Sequence, residues 1–465
     1  MSSPRRLVPP GIAARTHATA RIPFAFGPRV FVGLLLGLLW LVPAWWFPRL
    51  IGAMFLWDLL IMVAFSVDLA RLPKPLELEV SRGWSHPPSL ATPAEITVAV
   101  RNFGKVSVRC SVVDETPASL RKSPPELTLV VPASELAYDN YPILPTNRGD
   151  TRLGRVFLRY QSRLGFAERW SAAELTQTVC VLPDLEMARR QALYLIRSRQ
   201  VEMEKRRKRQ RGLGREFESL REYRQGDEMR DVCWTATARR HQLTTRVFEI
   251  ERSQAVWIML DAGRLLRAKI AQPGSEVRLA KLDYAVNAAL SLAQVAIQCG
   301  DRVGLVAYGR NIQQNVGTGR GAQHLRTMVD CLAHVYGEAS EADHSRAARV
   351  LLTEQSRRSL VVWITDFSET PTTPEVIENA LQMTKRHLLV FAAINQPDLT
   401  ALVETAPETP EEMYRHVAAL EITHRRDLLL RGLRQHGVFA FELVPGLLAS
   451  SIVNQYLDIK ERSLL

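Results

Sequence analysis

A chain of 465 residues is too long for one ordinary domain and suggests two to four units. Its 46% hydrophobic and 23% charged residues are a globular composition, which excludes wholesale disorder and a collagen-like fibre. Lys and Arg outnumber Asp and Glu by 60 to 48, a net charge of +12, and the five cysteines are far apart without a Cys-x-x-Cys pair, which argues against a disulfide framework or a zinc ribbon.

Residues 1–28 read as a basic tail. Val30 to Phe47 then runs without a charge, and Leu50 to Val67 is broken only by Asp58. Eighteen helical residues span about 27 Å, close to the thickness of a bilayer's hydrocarbon. Two such runs joined by Pro48 and Arg49 predict a transmembrane helical hairpin over 29–70. Arg5, Arg6, Arg15, Arg21 and Arg29 precede it and Arg71, Lys74 and Arg82 follow, so the positive-inside rule places both ends in the cytoplasm. Trp40, Trp45, Trp46 and Trp57 suit the membrane interface. For Asp58 two readings stand: a partner-helix or proton site, and a protonated or snorkelling carboxyl.

From 76 to 183 short alternating runs such as EITVAVRNF (95–103) and RLGRVFLRY (152–160) predict a β-sandwich with no catalytic constellation. Residues 184–253 follow as a basic linker. Between Asp184 and Arg215 eleven basic residues face four acidic ones, a local excess of +7. KRRKRQR (205–211) lacks interleaved aromatics and a reader fold, so no nucleic acid is expected; a solvated linker and contact with anionic membrane lipid are the readings left. From 254 to 465 strands alternate with helices, as in an α/β doubly wound sheet. AVWIMLD ends in Asp261 and SLVVWITD in Asp366, at the strand ends where such sheets bind ligands.

These two aspartates resemble those of the von Willebrand factor A domain, whose Asp-x-Ser-x-Ser run and later Thr and Asp hold Mg²⁺ through oxygen ligands. Here the run is Asp261-Ala262-Gly263-Arg264-Leu265, without the hydroxyls. Thr318 or Ala322 falls where the Thr is expected, and Arg264 could neutralise the carboxylates in place of a metal. A Mg²⁺ site is therefore doubtful, and no other cofactor is expected.

GLGREFESLREYRQGDEMRDVCWTATARR (212–240) resembles the signature of the bacterial membrane-protein family called domain of unknown function fifty-eight. Gly212, Gly214, Glu216, Phe217, Leu220, Arg221, Tyr223, Gly226, Asp227, Arg230, Trp234, Ala238 and Arg239 fit it; Val232 replaces an Ile, and Cys233 and Thr235 depart. As binding residues these form a partner-docking face; the alternative is an internal clasp of ion pairs and aromatics. Without Gly-x-Ser-x-Gly or His-Glu-x-x-His, and with Cys233 and His241 the nearest Cys-His pair, an enzyme is not expected. The resemblance implies a non-enzymatic, membrane-anchored adaptor that binds proteins through its A-like domain and works with a cytosolic MoxR-type AAA+ ATPase. The alternatives are a scaffold for cell-envelope assembly and a Mg-dependent ligand-binding A domain.

Overall fold

The computed structural model describes residues 12–84, 86–184, 216–224, 229, 232–249, 254–271, 278–366 and 373–462. The chain divides into two units, Met1–Leu182 and Pro183–Leu465.

The first unit opens with β1 (Ile12–His17) and β2 (Thr19–Phe26), in the stretch expected as a basic tail. Helices α1 (Pro28–Leu38), α2 (Leu41–Ala44) and α3 (Leu50–Arg71) follow. Nine strands complete the unit: β3 (Leu78–Trp84), β4 (Ala94–Asn102), β5 (Val108–Asp114), β6 (Glu126–Val131), β7 (Leu136–Ile143), β8 (Gly149–Leu153), β9 (Val156–Ser162), β10 (Ala167–Ala173) and β11 (Gln177–Val181). They form one sheet in the order β1-β3-β4-β7, a second in the order β2-β10-β9-β5-β6, and the pair β11-β8. Residues 12–26 thus supply one strand to each large sheet. Their partners, β3 and β10, lie beyond the helices in sequence, and a run such as IAARTH carries little alternation to announce them.

Strand alternation explains the burial. β5, β6 and β9 bury every second residue, as a sheet with one wet face must. Inside, Arg82 of β3 is fully buried and bonds the carboxylate of Asp114 on β5. Its guanidinium also donates to the carbonyls of Leu175 and Gly154, and the hydroxyl of Tyr141 donates to Asp114 at 2.7 Å. Arg82 was expected as a basic flank of the membrane segment; it is instead half of a buried ion pair. Burial also pushes the Cys110 thiol up to about 12, a protonated and inert group.

The first apolar run is not one continuous span. Helix α1 stops after Leu38, and α2 is a single turn that includes Pro43. Among the described residues one helix, Leu50–Arg71, is long and apolar enough to cross a membrane. At 1.5 Å per residue α1 is only about 16 Å long, against about 33 Å for α3. The two helices pack together, and the Trp57 indole donates to the Gly33 carbonyl at 2.9 Å. A Cβ on Gly37 would lie 2.6 Å from Asp58 Oδ1, so this carboxyl is turned toward α1 and not outward to an interface.

One loop, Ser162–Ala167, holds both ends of this apolar element. Gly27, just before α1, donates its N–H to Phe166 at 2.7 Å, and Arg29 donates to the Leu164 carbonyl at 2.8 Å. At the other end Asp68 accepts from Ser162 Oγ and from the N–H groups of Phe166 and Ala167 at 3.0 and 2.9 Å. Arg169 completes the clamp by donating to the carbonyls of Leu69, Leu72 and Pro73. A Cβ on Gly27 would sit 2.2 Å from the Gly165 carbonyl oxygen, a backbone atom that cannot swing away. Gly27→Ala is therefore expected to destabilise the unit by about 1–3 kcal/mol through steric strain. A thermal melt within error of the parent would contradict this close approach.

In the second unit β12 (Glu216–Glu222) pairs antiparallel with β13 (Thr244–Glu249), and α4 (Trp234–Arg240) lies between them in sequence. The strands β14 (Ala255–Asp261), β15 (Lys269–Ala271) and β16 (Arg278–Ala280) follow, then α5 (Lys281–Gln298), β17 (Arg302–Tyr308) and β18 (Ile312–Gly319). Next come α6 (Ala322–Ala333), α7 (His344–Glu354), β19 (Leu360–Thr365), α8 (Thr373–Thr384) and β20 (Leu388–Ile394). The chain ends with α9 (Pro397–Glu404), α10 (Pro410–Gln435), β21 (Phe439–Leu443) and α11 (Leu448–Glu461).

Six strands form one sheet in the order β18-β17-β14-β19-β20-β21, parallel except for β18. β14, β19 and β20 bury almost every residue, because both faces are covered: α7, α8 and α10 pack on Trp257, Trp363 and Phe391, and α5 crosses β14 and β17 from the other side with α11 against it. Since β14 lies inside the sheet and its neighbours β17 and β19 are reached in opposite directions, the chain order reverses at the C-terminal ends of β14 and β19. Asp261 and Asp366 stand at those ends.

Candidate functional site

The site grows out of two strand ends. Asp261 closes β14 and is 3% exposed. It accepts from the Gly263 N–H at 2.7 Å and from the Thr365 hydroxyl at 2.6 Å. Asp366, one residue past β19, is 5% exposed and faces two cations. The Lys281 ammonium, itself 1% exposed at the first turn of α5, lies 2.6 Å from Asp366 Oδ2. The Arg426 guanidinium of α10 lies 3.0 Å from Asp366 Oδ1, and its Nε is 2.9 Å from Glu442 on β21. Arg426 also donates to the Ile394 carbonyl, and Lys281 to Gln396 Oε1 at 3.3 Å. Two helices, α5 and α10, thus each bring a cation to one carboxylate. Near Asp261 the Trp363 indole donates to Tyr308 Oη at 2.6 Å, and that oxygen lies 3.0 Å from His344 Nδ1.

This donor set does not fit Mg²⁺. An octahedral site needs several hydroxyl, carboxylate or water oxygens around an accessible centre. Here Gly263 and Leu265 stand at the hydroxyl positions, and an ammonium and a guanidinium already neutralise Asp366. Three expectations about the site are corrected. Arg264 does not neutralise the aspartates: its side chain is half exposed and reaches Glu341 at 3.4 Å, while Lys281 and Arg426 pair with Asp366. Thr318 is not a ligand candidate, because β18 runs antiparallel and pairs Gly319 with Val303, at the far end of β17 from Asp261. Ala322 begins α6 just beyond, at the same far end. The hydroxyl at the site is Thr365, which no motif singled out.

Burial raises the Asp261 carboxyl above its ordinary 3.8; His344, the Thr365 hydroxyl and the Gly263 N–H oppose the rise, and Asp366 adds to it. A carboxyl raised in the folded state binds its proton more tightly folded than unfolded. It therefore contributes stability below the unfolded value, and that contribution is lost as pH climbs through the raised folded value. Asp261→Asn is expected to remove this decline, so its stability should fall less than the parent's as pH rises from the ordinary carboxylate range. Parallel slopes in denaturant melts across that rise would contradict the assignment.

The signature residues are placed only in part. Gly212, Gly214, Gly226, Asp227 and Arg230 lie outside the described residues. Glu216, Phe217 and Arg221 are on β12, where Arg221 pairs in register with Thr245. Tyr223 is half-buried, and its N–H donates to Leu243 at 2.8 Å. Trp234 opens α4 with 61% of its surface exposed, and Arg239 on the same helix is exposed. The signature strand β12 and the strand-end aspartates belong to different sheets.

The comparison with known families falls on this unit. Residues 219–406 match the model of the family described as "Protein of unknown function DUF58". The DUF58 match begins inside β12 and ends after α9, so it contains Asp261, Lys281, Thr365 and Asp366. Arg426 and Glu442, which close the carboxylate cage, lie beyond it. No curated protein matches the chain. Among solved structures, proximal thread matrix protein 1 from the mussel byssus is similar at 7% identity and a TM-score of 0.27, over 44% of this chain. This chain spans 46% of the mussel protein's length. An uncharacterized membrane spanning protein from Vibrio fischeri is similar at 12% identity and a TM-score of 0.17, over 43% of this chain and 96% of that one. TM-scores this low carry no argument about fold or function.

Proposed function

We propose that the chain is a membrane-anchored, non-enzymatic adaptor that binds other proteins through an A-like domain. The observation that carries this reading is the caged carboxylate: Asp366 sits where an A domain would use a metal, and the cations of Lys281 and Arg426 pair with it instead. A domain built this way offers a rigid surface, not a reactive centre. The central position of β14 and the antiparallel edge strand β18 support the A-like assignment. Anchoring is supported by the outward side chains of α3, where Phe55, Leu56, Leu59 and Leu60 are all about 60% exposed, which is unfavourable in water. The single loop that holds both Gly27 and Asp68 supports an apolar element that enters and leaves the bilayer on one side, and the flanking arginines favour the cytoplasm as that side.

The partnership with a MoxR-type AAA+ ATPase rests on the family resemblance. Tagged full-length protein, extracted in detergent with nucleotide present, is expected to co-purify with such an ATPase. Repeated recovery without one, alongside cell-wall enzymes instead, would favour the scaffold.

A further inference from the structure

The apolar surface does not end where the helices end. Strand β2 leads into α1 and presents Ile22, Phe24 and Phe26, which are 40%, 52% and 43% exposed. The rings of Phe24 and Phe26 meet Phe65 of α3 at centroid separations of 6.4 and 4.7 Å, and Phe26 meets Phe31 of α1 at 6.3 Å. Ile22 pairs with Trp170 on β10, which is 40% exposed. The greasy surface therefore continues without a break from the helices onto the edge of a sheet. Arginines border it: Arg29 and Arg163 are exposed beside the clamping loop, and the Arg21 guanidinium lies 5.0 Å over the Phe157 ring.

The strand's backbone decides how deep this surface can go. Among the described residues β2 is hydrogen-bonded on one side only, to β10. An open row of N–H and C=O groups cannot lie in hydrocarbon, where nothing satisfies it. Water and phosphate in the headgroup layer can, and an indole such as that of Trp170, apolar with one polar edge, partitions to that layer.

We propose that β2 and Trp170 lie in the headgroup layer of a phospholipid bilayer, so that the β-rich unit itself contacts lipid beside its helices. This rests on the reading that α1–α3 enter a membrane.

The test uses the full-length chain in vesicles of phosphatidylethanolamine and phosphatidylglycerol. A photo-crosslinking benzoylphenylalanine replaces Phe24, Leu59 or Val130 in turn. Val130 is 59% exposed on β6, at the opposite edge of the sheet from β2, about 19 Å across four strand spacings. The expected result is lipid adducts at 24 and 59 and at least tenfold fewer at 130. Adducts at 59 without 24 overturn this inference and leave the anchor standing; adducts at neither overturn both. Equal labelling at 24 and 130 overturns the specific surface, as does a protein adduct at 24 in place of lipid, including one to a second copy.

Discussion

Asp68→Ala is expected to cost about 3–5 kcal/mol, because the carboxylate satisfies three donors at once in a site with almost no water. Asp68 is 1% exposed and ends the apolar helix α3, yet its partners, Ser162, Phe166 and Ala167, belong to the β9–β10 turn. Removing it leaves two backbone N–H groups and a hydroxyl buried without an acceptor. Asp68→Asn keeps one acceptor oxygen but turns an amide toward the remaining donors, so an intermediate loss is expected. Thermal unfolding of the full-length protein in detergent reads both. A loss under about 1 kcal/mol for the alanine variant, the worth of one ordinary hydrogen bond, would mean that the loop does not depend on this side chain. Arg29 and Arg169 would then carry the attachment.

Lys281→Met is the second large effect, again about 3–5 kcal/mol, since it strips one cation from a buried carboxylate. The penalty arises from what remains: Asp366 keeps Arg426 but loses its 2.6 Å ammonium partner. Adding Asp366→Asn removes the stranded charge, while Arg426 retains Glu442 at 2.9 Å and the Ile394 carbonyl. The double variant is therefore expected to be more stable than Lys281→Met alone, with a coupling energy of at least about 1 kcal/mol in a double-mutant cycle. Additive losses would show that the two side chains do not act as a pair. That result would also remove the main support for reading the strand end as a filled metal position.

Much of the α/β sheet was legible because its chemistry is local. AVWIMLD, LVVWIT and LLVFAAI are short, rich in β-branched and aromatic residues and apolar throughout, as strands buried on both faces are, and each run ends where the polar strand-end cluster begins. The β-rich segment was legible for the same reason: β5, β6 and β9 alternate. β1 and β2 were missed because an edge strand half open to water needs no alternation, and their partners lie some 60 to 150 residues away. The apolar runs were visible too; the break at Leu39 and Trp40 is announced by Pro43, which offers no N–H to the Leu39 carbonyl and whose ring clashes with it.

The candidate site divides in the same way. Asp261 and Asp366 could be found from their place after apolar runs, and the missing hydroxyls could be read directly. What surrounds them could not, because a buried charge takes its partner from whichever element packs over it. Lys281 reaches Asp366 across 85 residues and Arg426 from a helix 60 residues beyond, while Arg264, three residues from Asp261, points away to Glu341. Arg82 and Asp68 repeat the lesson in the other unit, one finding Asp114 and the other a turn after β9. Hydrophobic patterning, being periodic and local, was determined by the sequence alone. The pairing of buried charges was decided only by the tertiary structure, because desolvation forces each one onto a partner that chain distance does not reveal.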